Sequence, residues 1–133
     1  MKYLLMMNVP AGTGEYEHVQ WSPADWEAHL DYWRRLNREL AEAGELVEIQ
    51  ALFPPREAKL VRAGRNGAPR TDGPFPESKE FLAGFWVVET DSPERAYAIA
   101  AHASAVPGPG GVPMNMPIEV RGVMQTCTPS QDV

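Results

Sequence analysis

Two Ser-Pro pairs, Ser22–Pro23 and Ser92–Pro93, constrain the fold of this chain more than any other feature. In each pair the serine oxygen can accept a hydrogen bond from an orphan amide at a helix start. Proline fits the first helical position because no amide hydrogen is needed there. An acidic residue, Asp25 or Glu94, follows in each first turn and complements the helix dipole. The sequence therefore predicts two helices that begin alike, seventy positions apart.

The first of these helices is the most clearly defined element. Apolar side chains recur at helical spacing along it, and Gly44 provides the C-terminal stop. The apolar positions are Trp26, Leu30, Trp33, Leu36, Leu40 and Ala43. The second helix is predicted to continue to Ser104.

Short apolar or alternating runs flank both helices and predict strands. They cover residues 3–7, 46–53, 58–63, 81–90 and the closing IEVRGVMQ segment, with a β-hairpin expected around GRNG at 64–67. Without the hairpin the order is strand, helix, strand, strand, helix, strand, which is the split βαβ arrangement of ferredoxin-like folds. We predict an α+β fold, ferredoxin-like βαββαβ with an inserted β-hairpin. It forms one domain over residues 1–126, followed by a C-terminal tail at 127–133.

The strands at LLMM (4–7) and FWVV (85–88) carry apolar side chains for both faces of the sheet. Right-handed crossovers place both helices on one face, so the other face of a monomer would stay uncovered. Two such sheets packed face to face, about 10 Å apart, would bury it. We therefore predict a homodimer.

The composition narrows the class of partner. The formal charge is −6 and the basic residues are dispersed, which argues against a nucleic-acid or anionic-membrane surface. No apolar segment approaches the roughly 18 to 20 residues that a membrane span needs, and the N-terminus does not resemble a secretory signal. The single cysteine, Cys127, fits a reducing compartment. We expect a cytoplasmic protein with a small-molecule ligand and without a cofactor. The three histidines are scattered, so no metal site is expected.

The stretch TDGPFPESKEFLAGFW, at residues 71–86, is the densest in special residue types. Its residues 72–75, 77–80 and 84–85 resemble the signature of the DGPF family, within the wider group of YciI-like proteins. The resemblance extends to the N-terminal MKYLLMM, to AEAGELV at the end of the first helix and to the closing IEVR, in the expected order. It implies a dimeric α/β barrel of ferredoxin-like protomers, and a family whose members largely lack an assigned reaction.

In YciI-like proteins a histidine on the first helix, paired with a carboxylate, has been proposed as an active-site dyad. Alignment on Gly44 places Trp33 where that histidine would be expected, and His29 lies one turn earlier. His29 also lies four residues after Asp25, within helical reach of its carboxylate. An imidazole oriented in this way can serve as a general base near neutral pH. The alternative is a boundary residue of an amphipathic helix, with Asp25 only complementing the helix start.

The signature contains three further candidates. Asp72 either caps its own Asp-Gly-Pro turn or is held by that turn at the mouth of a cleft. Lys79 could bind an anionic group while Glu80 lines the pocket, or both could belong to a solvated charge cluster.

Glu119 and Arg121 are two apart on the last predicted strand and project to the same face. If that face lines the cleft, Arg121 would bind a carboxylate of the ligand. If it faces solvent, Glu119 and Arg121 would form a weak surface ion pair. The Pro/Gly-rich segment 106–117 shows neither the helical nor the strand periodicity of apolar residues. This predicts an irregular connector or a mobile apolar lid.

These observations favour a cofactor-independent enzyme of isomerase, lyase or dehydratase type, acting by acid–base chemistry on a small anionic or aromatic metabolite. His29 or Asp72 would be the catalytic base. The candidate substrate-binding residues are Lys79, Glu80, Arg121, Glu119 and Trp33. The alternative is a non-catalytic ligand-binding or regulatory partner protein. The DGPF resemblance connects this non-catalytic role with alternative sigma factors.

Overall fold

The computed structural model describes residues 1–10, 21–55, 58–72 and 80–125. Its elements follow the predicted order. They are β1 (Lys2–Pro10), α1 (Pro23–Glu42), β2 (Leu46–Ala51), β3 (Leu60–Ala63), β4 (Pro69–Asp72), β5 (Glu80–Glu89), α2 (Pro93–Ser104) and β6 (Ile118–Gly122). Most of the DGPF turn and the predicted tail at 127–133, including Cys127, lie outside the described residues.

Four strands form one antiparallel sheet in the order β2-β5-β1-β6. The crossover through α1 joins β1 to β2 with β5 between them, and the crossover through α2 joins β5 to β6 with β1 between them. This is the split βαβ pattern, so the prediction of an α+β, ferredoxin-like protomer is confirmed. β3 and β4 pair separately as the inserted hairpin.

The hairpin closes at GRNG, as the turn residues predict. The amide of Gly64 donates to the carbonyl of Ala68 at 2.7 Å, and the amide of Gly67 donates to the carbonyl of Gly64 at 3.0 Å. Gly67 has a φ of 79°, a conformation that is accessible to glycine because it has no Cβ. Local turn chemistry therefore explains where the chain reverses between β3 and β4.

Both helices begin at a serine whose side chain accepts a hydrogen bond from a backbone amide of the first turn. In α1 a capping box joins Ser22 and Asp25: Ser22 Oγ accepts from the Asp25 amide at 3.1 Å, and Asp25 Oδ2 accepts from the Ser22 amide at 3.0 Å. Gly44, with a φ of 73°, ends α1 in a Schellman motif, in which the Glu45 amide donates to the Leu40 carbonyl at 2.9 Å. Among the described residues no helix is both long and apolar enough to cross a membrane.

The core lies between the two helices and one face of the sheet. Alternate residues of β1 and β5 point into it, because successive side chains of a strand project to opposite faces. The buried members are Tyr3, Leu5, Met7, Trp86 and Val88 of the sheet, Leu36 and Leu40 of α1, and Ala96, Ile99, Ala100 and Ala103 of α2. Three of the four α2 residues named here are alanines, which have small side chains.

The opposite face of the sheet, here called the open face, is not covered by any described helix. Its central side chains are apolar and half-buried, and they are paired across the strands: Leu4 with Val87, and Met6 with Phe85. The homodimer prediction rests on this face.

β2, β3 and β6 are shorter than predicted, and two further segments differ from the sequence prediction. β1 runs beyond residues 3–7 because Asn8–Pro10, expected as a turn, continue to pair with residues 80–82 after a register shift. The segment 106–114, expected as an irregular connector, closes on itself instead. The Gly108 amide donates to the Val112 carbonyl at 2.8 Å, and the Met114 amide donates to the Val106 carbonyl at 2.9 Å.

Candidate functional site

The closed loop at 106–114 lies against the first turns of α1. Its tip is a 3-10 turn, Pro109–Gly111, in which Gly110 and Gly111 have φ angles of 71° and 79°. Side chains with a Cβ rarely adopt such angles, so the glycines permit the tip to turn back on itself. The proline and glycine content therefore produces a defined shape.

Two side chains of α1 hold this loop. Asp25 Oδ1 accepts a hydrogen bond from the amide of Gly110 at 3.1 Å. His29 Nδ1 lies 2.9 Å from the carbonyl oxygen of Pro107. A carbonyl oxygen only accepts, so Nδ1 carries the hydrogen and donates it. In the neutral ring the lone pair is consequently on Nε2.

The Nε2 atom of His29 is buried and has no hydrogen-bond partner in the part of the chain that the structure describes. The whole residue is only 1% exposed. Burial lowers the pKa of His29, while its hydrogen bond to Pro107 raises the pKa by a smaller amount. The ring is therefore held neutral, with an unsatisfied acceptor in a low-dielectric environment.

Three tryptophans, Trp21, Trp26 and Trp33, surround this ring and are here called the tryptophan cage. Their ring centroids lie 5.0, 5.8 and 4.3 Å from that of His29. Trp21 and Trp26 stack on each other at 4.4 Å, and Trp26 is 40% exposed. The cage forms because positions 26, 29 and 33 share one face of α1, and Trp21 precedes the helix cap.

Trp33 also connects the cage to the rest of the core. Its Nε1–H donates to the carbonyl of Ala103 in α2 at 3.3 Å, and its ring meets Trp86 edge-on with centroids 6.0 Å apart. Trp33, which occupies the position expected for the family histidine, is therefore held in place beside His29.

Asp25 does not orient His29, although the helical spacing made that arrangement possible. Its two carboxylate oxygens accept from the amides of Ser22 and Gly110. These backbone hydrogen bonds, that of Ser22 first, lower the pKa of Asp25. The Pro107 carbonyl takes the orienting role that was expected of the carboxylate.

Two of the signature candidates, Asp72 and Glu80, are among the described residues. Asp72 is the exposed last residue of β4, and Glu80 is the exposed first residue of β5. Lys79 lies outside the described residues, as do the glycine and phenylalanine of DGPF. Neither Asp72 nor Glu80 makes a hydrogen bond with His29. Their proposed roles stay predictions.

Glu119 and Arg121 lie on the open face. In the pairing of β6 with β1, Glu119 stands opposite Met6 and Arg121 stands opposite Leu4. Their side chains are 53% and 69% exposed and approach within 4.0 Å of each other. His29 is on the helix-covered side of the sheet, so within one protomer this pair does not converge on the tryptophan cage. The exposed geometry matches a weak ion pair.

A second concave feature, here called the α2–β6 groove, has a volume of about 310 Å³. Its walls include Tyr97 and Ser104 of α2 and Ile118 and Val120 of β6. Asn115 also lines it with a φ of 52°, an uncommon conformation for a residue other than glycine. In the described part of the chain no cluster of three or more histidine, cysteine, aspartate or glutamate side chains could hold a metal ion.

The sequence interpretation missed two members of the His29 site. Trp21 precedes the helix, and its only signal was its proximity to Ser22. Pro107 lies 78 residues from His29, and it acts through its carbonyl group, which every residue type possesses. A backbone acceptor in a distant loop leaves no trace in composition or spacing.

The fold and this site define an α+β protein of ferredoxin-like topology with a buried histidine between its first helix and the loop before its last strand. A family model described as the YCII-related domain matches residues 1–113, and the chain belongs to that family. It is also similar to an uncharacterized protein of Rhizobium meliloti (strain 1021). The two are 32% identical over 84 residues, which is 63% of this chain and 68% of the relative.

Proposed function

We propose that the tryptophan cage is a small-molecule site in which His29 Nε2 accepts a proton, and that the protein is a cofactor-independent acid–base enzyme. The observation that carries this proposal is the buried Nε2 of His29, for which the described residues provide no hydrogen-bond partner, in a ring whose tautomer is fixed by Pro107. Buried polar atoms nearly always have a partner, so an exception requires an explanation. A ligand that supplies a donor would remove the unfavourable free energy of that unsatisfied atom.

The surroundings of Nε2 favour a planar or aromatic ligand. Indole rings interact well with other aromatic rings in stacked or edge-on arrangements. Nε2 has almost no accessible surface, so the side chains around it must move before a ligand reaches it, and three of the neighbouring rings are tryptophans. Access to the site should therefore change the tryptophan fluorescence.

The reaction that suits one neutral base is a proton transfer. Nε2 removes a proton from a carbon or oxygen of the substrate and returns it to another atom, which is an isomerisation. Alternatively, the electron pair of the broken bond forms a double bond and expels a leaving group, which takes the proton back from Nε2, as in a lyase or dehydratase. An anionic substrate group would bind Lys79, and Asp72 is a second candidate base, as the signature predicts. Arg121 is not assigned to this site, because it lies on the open face.

The proposal includes a homodimer in the cytoplasm, formed through the open face as in a dimeric α/β barrel. An apolar row formed by Leu4, Met6, Phe85 and Val87 runs through the middle of that face. Burial of such a row against a second sheet supplies the hydrophobic free energy for association. Acidic residues outnumber lysines and arginines, which gives a net charge of −6 and argues against a nucleic-acid partner.

Phenylpyruvate is a suitable probe, because it is aromatic and anionic and its keto and enol forms differ by one proton transfer. We expect the wild-type protein to bind it with a change in tryptophan fluorescence and to accelerate the interconversion of its tautomers. The His29→Asn variant keeps an amide donor for Pro107 but lacks Nε2, so it should fold and lose the acceleration. His102→Asn, at an exposed position of α2, is the matched control.

The outcomes separate the two candidate functions. Binding that depends on His29 without any acceleration would support the alternative of a non-catalytic ligand sensor or regulatory partner, including one linked to an alternative sigma factor. Equal binding and equal acceleration by wild type and His29→Asn would show that the cage is structural. ¹⁵N NMR of the histidine ring tests the premise itself, since a protonated Nε2 in the free protein contradicts the assigned tautomer.

A further inference from the structure

The hairpin formed by β3 and β4 carries a concentration of positive charge. Residues 58–71 contain four cationic side chains, Lys59, Arg62, Arg65 and Arg70, and no acidic one. The whole chain has a net charge of −6, so this segment, at +4, leaves −10 for all the other residues. The four cations are dispersed along the sequence, and the folding of the hairpin gathers them on one short element, here called the basic hairpin.

Two of these cations stand directly opposite each other. In the pairing of β3 with β4, Arg62 is the partner of Arg70, so both side chains project from the same face of the hairpin. Like charges in such a pair destabilise the strand pairing. No described carboxylate forms an ion pair with either guanidinium group, and this includes Asp72 at the base of the same face. Within the described part of the chain the two arginines therefore repel each other without a counter-ion.

The side chain of Arg70 is restricted by its contact with the backbone of Gly64. Gly64 has no side chain, and a Cβ built on it would lie 3.4 Å from Cγ and 3.5 Å from Cδ of Arg70. The methylene groups of Arg70 therefore occupy the space that a larger residue at position 64 would fill. A restricted arginine loses less side-chain entropy when its guanidinium group binds a ligand.

We propose that the basic hairpin is a docking surface for an acidic segment of a partner protein, whose carboxylates bind between Arg62 and Arg70. Each guanidinium group can donate two parallel hydrogen bonds to a carboxylate, and a carboxylate held between them offsets their mutual repulsion. Every residue of β3 and β4 is exposed, and a two-stranded hairpin alone is only marginally stable in water. A partner that covers the hairpin therefore also stabilises it. This surface does not depend on the His29 site.

The surroundings of the arginine pair favour a protein partner over a nucleic acid. Leu60 and Val61, on the same strand as Arg62, are 40% and 57% exposed. Protein interfaces are enriched in arginine and place apolar side chains at their centre. A nucleic acid that extended beyond the hairpin would meet the other residues of the chain, whose net charge of −10 repels a polyanion. A short acidic segment needs only the hairpin itself.

Binding of a model peptide tests the proposal. The probe is a fluorescein-labelled octapeptide of alternating aspartate and glutamate, titrated with the full chain at low ionic strength and followed by fluorescence anisotropy. Arg62→Gln/Arg70→Gln should weaken binding at least about tenfold, because it removes both charged donors. The matched control, Arg35→Gln/Arg38→Gln, makes the same charge change at exposed positions of α1 and should weaken binding less than about twofold. Equal weakening by the two variants, or no binding by wild type, overturns the proposal.

Amide hydrogen exchange of residues 58–72 provides a second measurement, in which the bound peptide should increase protection of the wild-type hairpin. Arg62→Glu places an unlike charge opposite Arg70, so it should protect the hairpin without the peptide and still bind the peptide at least about tenfold more weakly. Loss of binding by a better protected hairpin excludes unfolding as its cause. The proposal is overturned if Arg62→Glu binds as tightly as wild type, or if a thymidine octanucleotide binds more tightly than the peptide.

Discussion

Replacing His29 with phenylalanine removes the titrating group of the tryptophan cage and keeps an aromatic ring of similar size. In the folded protein burial lowers the pKa of His29 below its ordinary value of 6.5. As the pH falls, the unfolded chain therefore takes up the proton before the folded chain does. The stability associated with neutral His29 is fully present above pH 6.5 and declines below it.

The size of this effect follows from linkage. The free energy of unfolding falls by at most about 1.4 kcal/mol per pH unit, and the fall ends where the folded state itself takes up the proton. His29→Phe should abolish this slope. It also leaves the Pro107 carbonyl without its donor, which costs about 1–3 kcal/mol at every pH. That offset does not vary with pH, so the slope isolates the contribution of the proton.

Urea denaturation across about pH 5.5 to 7.5 measures the slope for wild type and His29→Phe. The Asp25 carboxylate, whose pKa is lowered from 3.8, loses its contribution only at lower pH and does not interfere. His102→Asn, on the exposed side of α2, should keep the wild-type slope. The reasoning is refuted if His29→Phe retains the full pH dependence of wild type in this range.

Three further predictions concern the core packing, the cap of α2 and one ion pair. Leu5→Ala, at a fully buried position of β1, should lower the free energy of unfolding by about 2–5 kcal/mol in urea, whereas Leu30→Ala, 39% exposed, should change it far less. Ser92→Ala removes the cap of α2 and should cost about 0.5–2 kcal/mol in thermal unfolding; an unchanged midpoint contradicts the cap assignment. Arg95→Lys loses the two-pronged contact with Glu45 at 2.8 and 2.9 Å, and the loss, up to about 1 kcal/mol, should shrink in high salt.

The elements of the fold could be predicted because local chemistry defines most of them. Ser22, Ser92 and Gly44 each act on amides or carbonyls within a few residues, so their effect can be inferred from neighbouring sequence. The hairpin at GRNG is equally local. β1 was longer than predicted because pairing with β5 overrides the turn preference of Asn8–Pro10. Strand length depends on the partner strand, which a local pattern does not contain.

The candidate site was predictable only in part. His29 was expected at the edge of the apolar stripe and is instead almost fully buried, and its expected partner, Asp25, accepts a hydrogen bond from Gly110. The Gly-rich tip supplies an amide that competes for the carboxylate, and nothing in the spacing of α1 indicates this. Glu119 and Arg121 were correctly placed on one face, and only the pairing of β6 with β1 decided that this face is the open one.

The sequence by itself determined two Ser-Pro helix starts, a glycine stop, a glycine-closed hairpin and the order of elements that leads to a ferredoxin-like protomer. These depend on interactions within a few residues and on the right-handedness of crossovers. Only the tertiary structure decided that the Pro107 carbonyl meets His29, and hence which ring nitrogen keeps its lone pair. That contact joins residues 78 positions apart, and the packing of the whole domain brings them together.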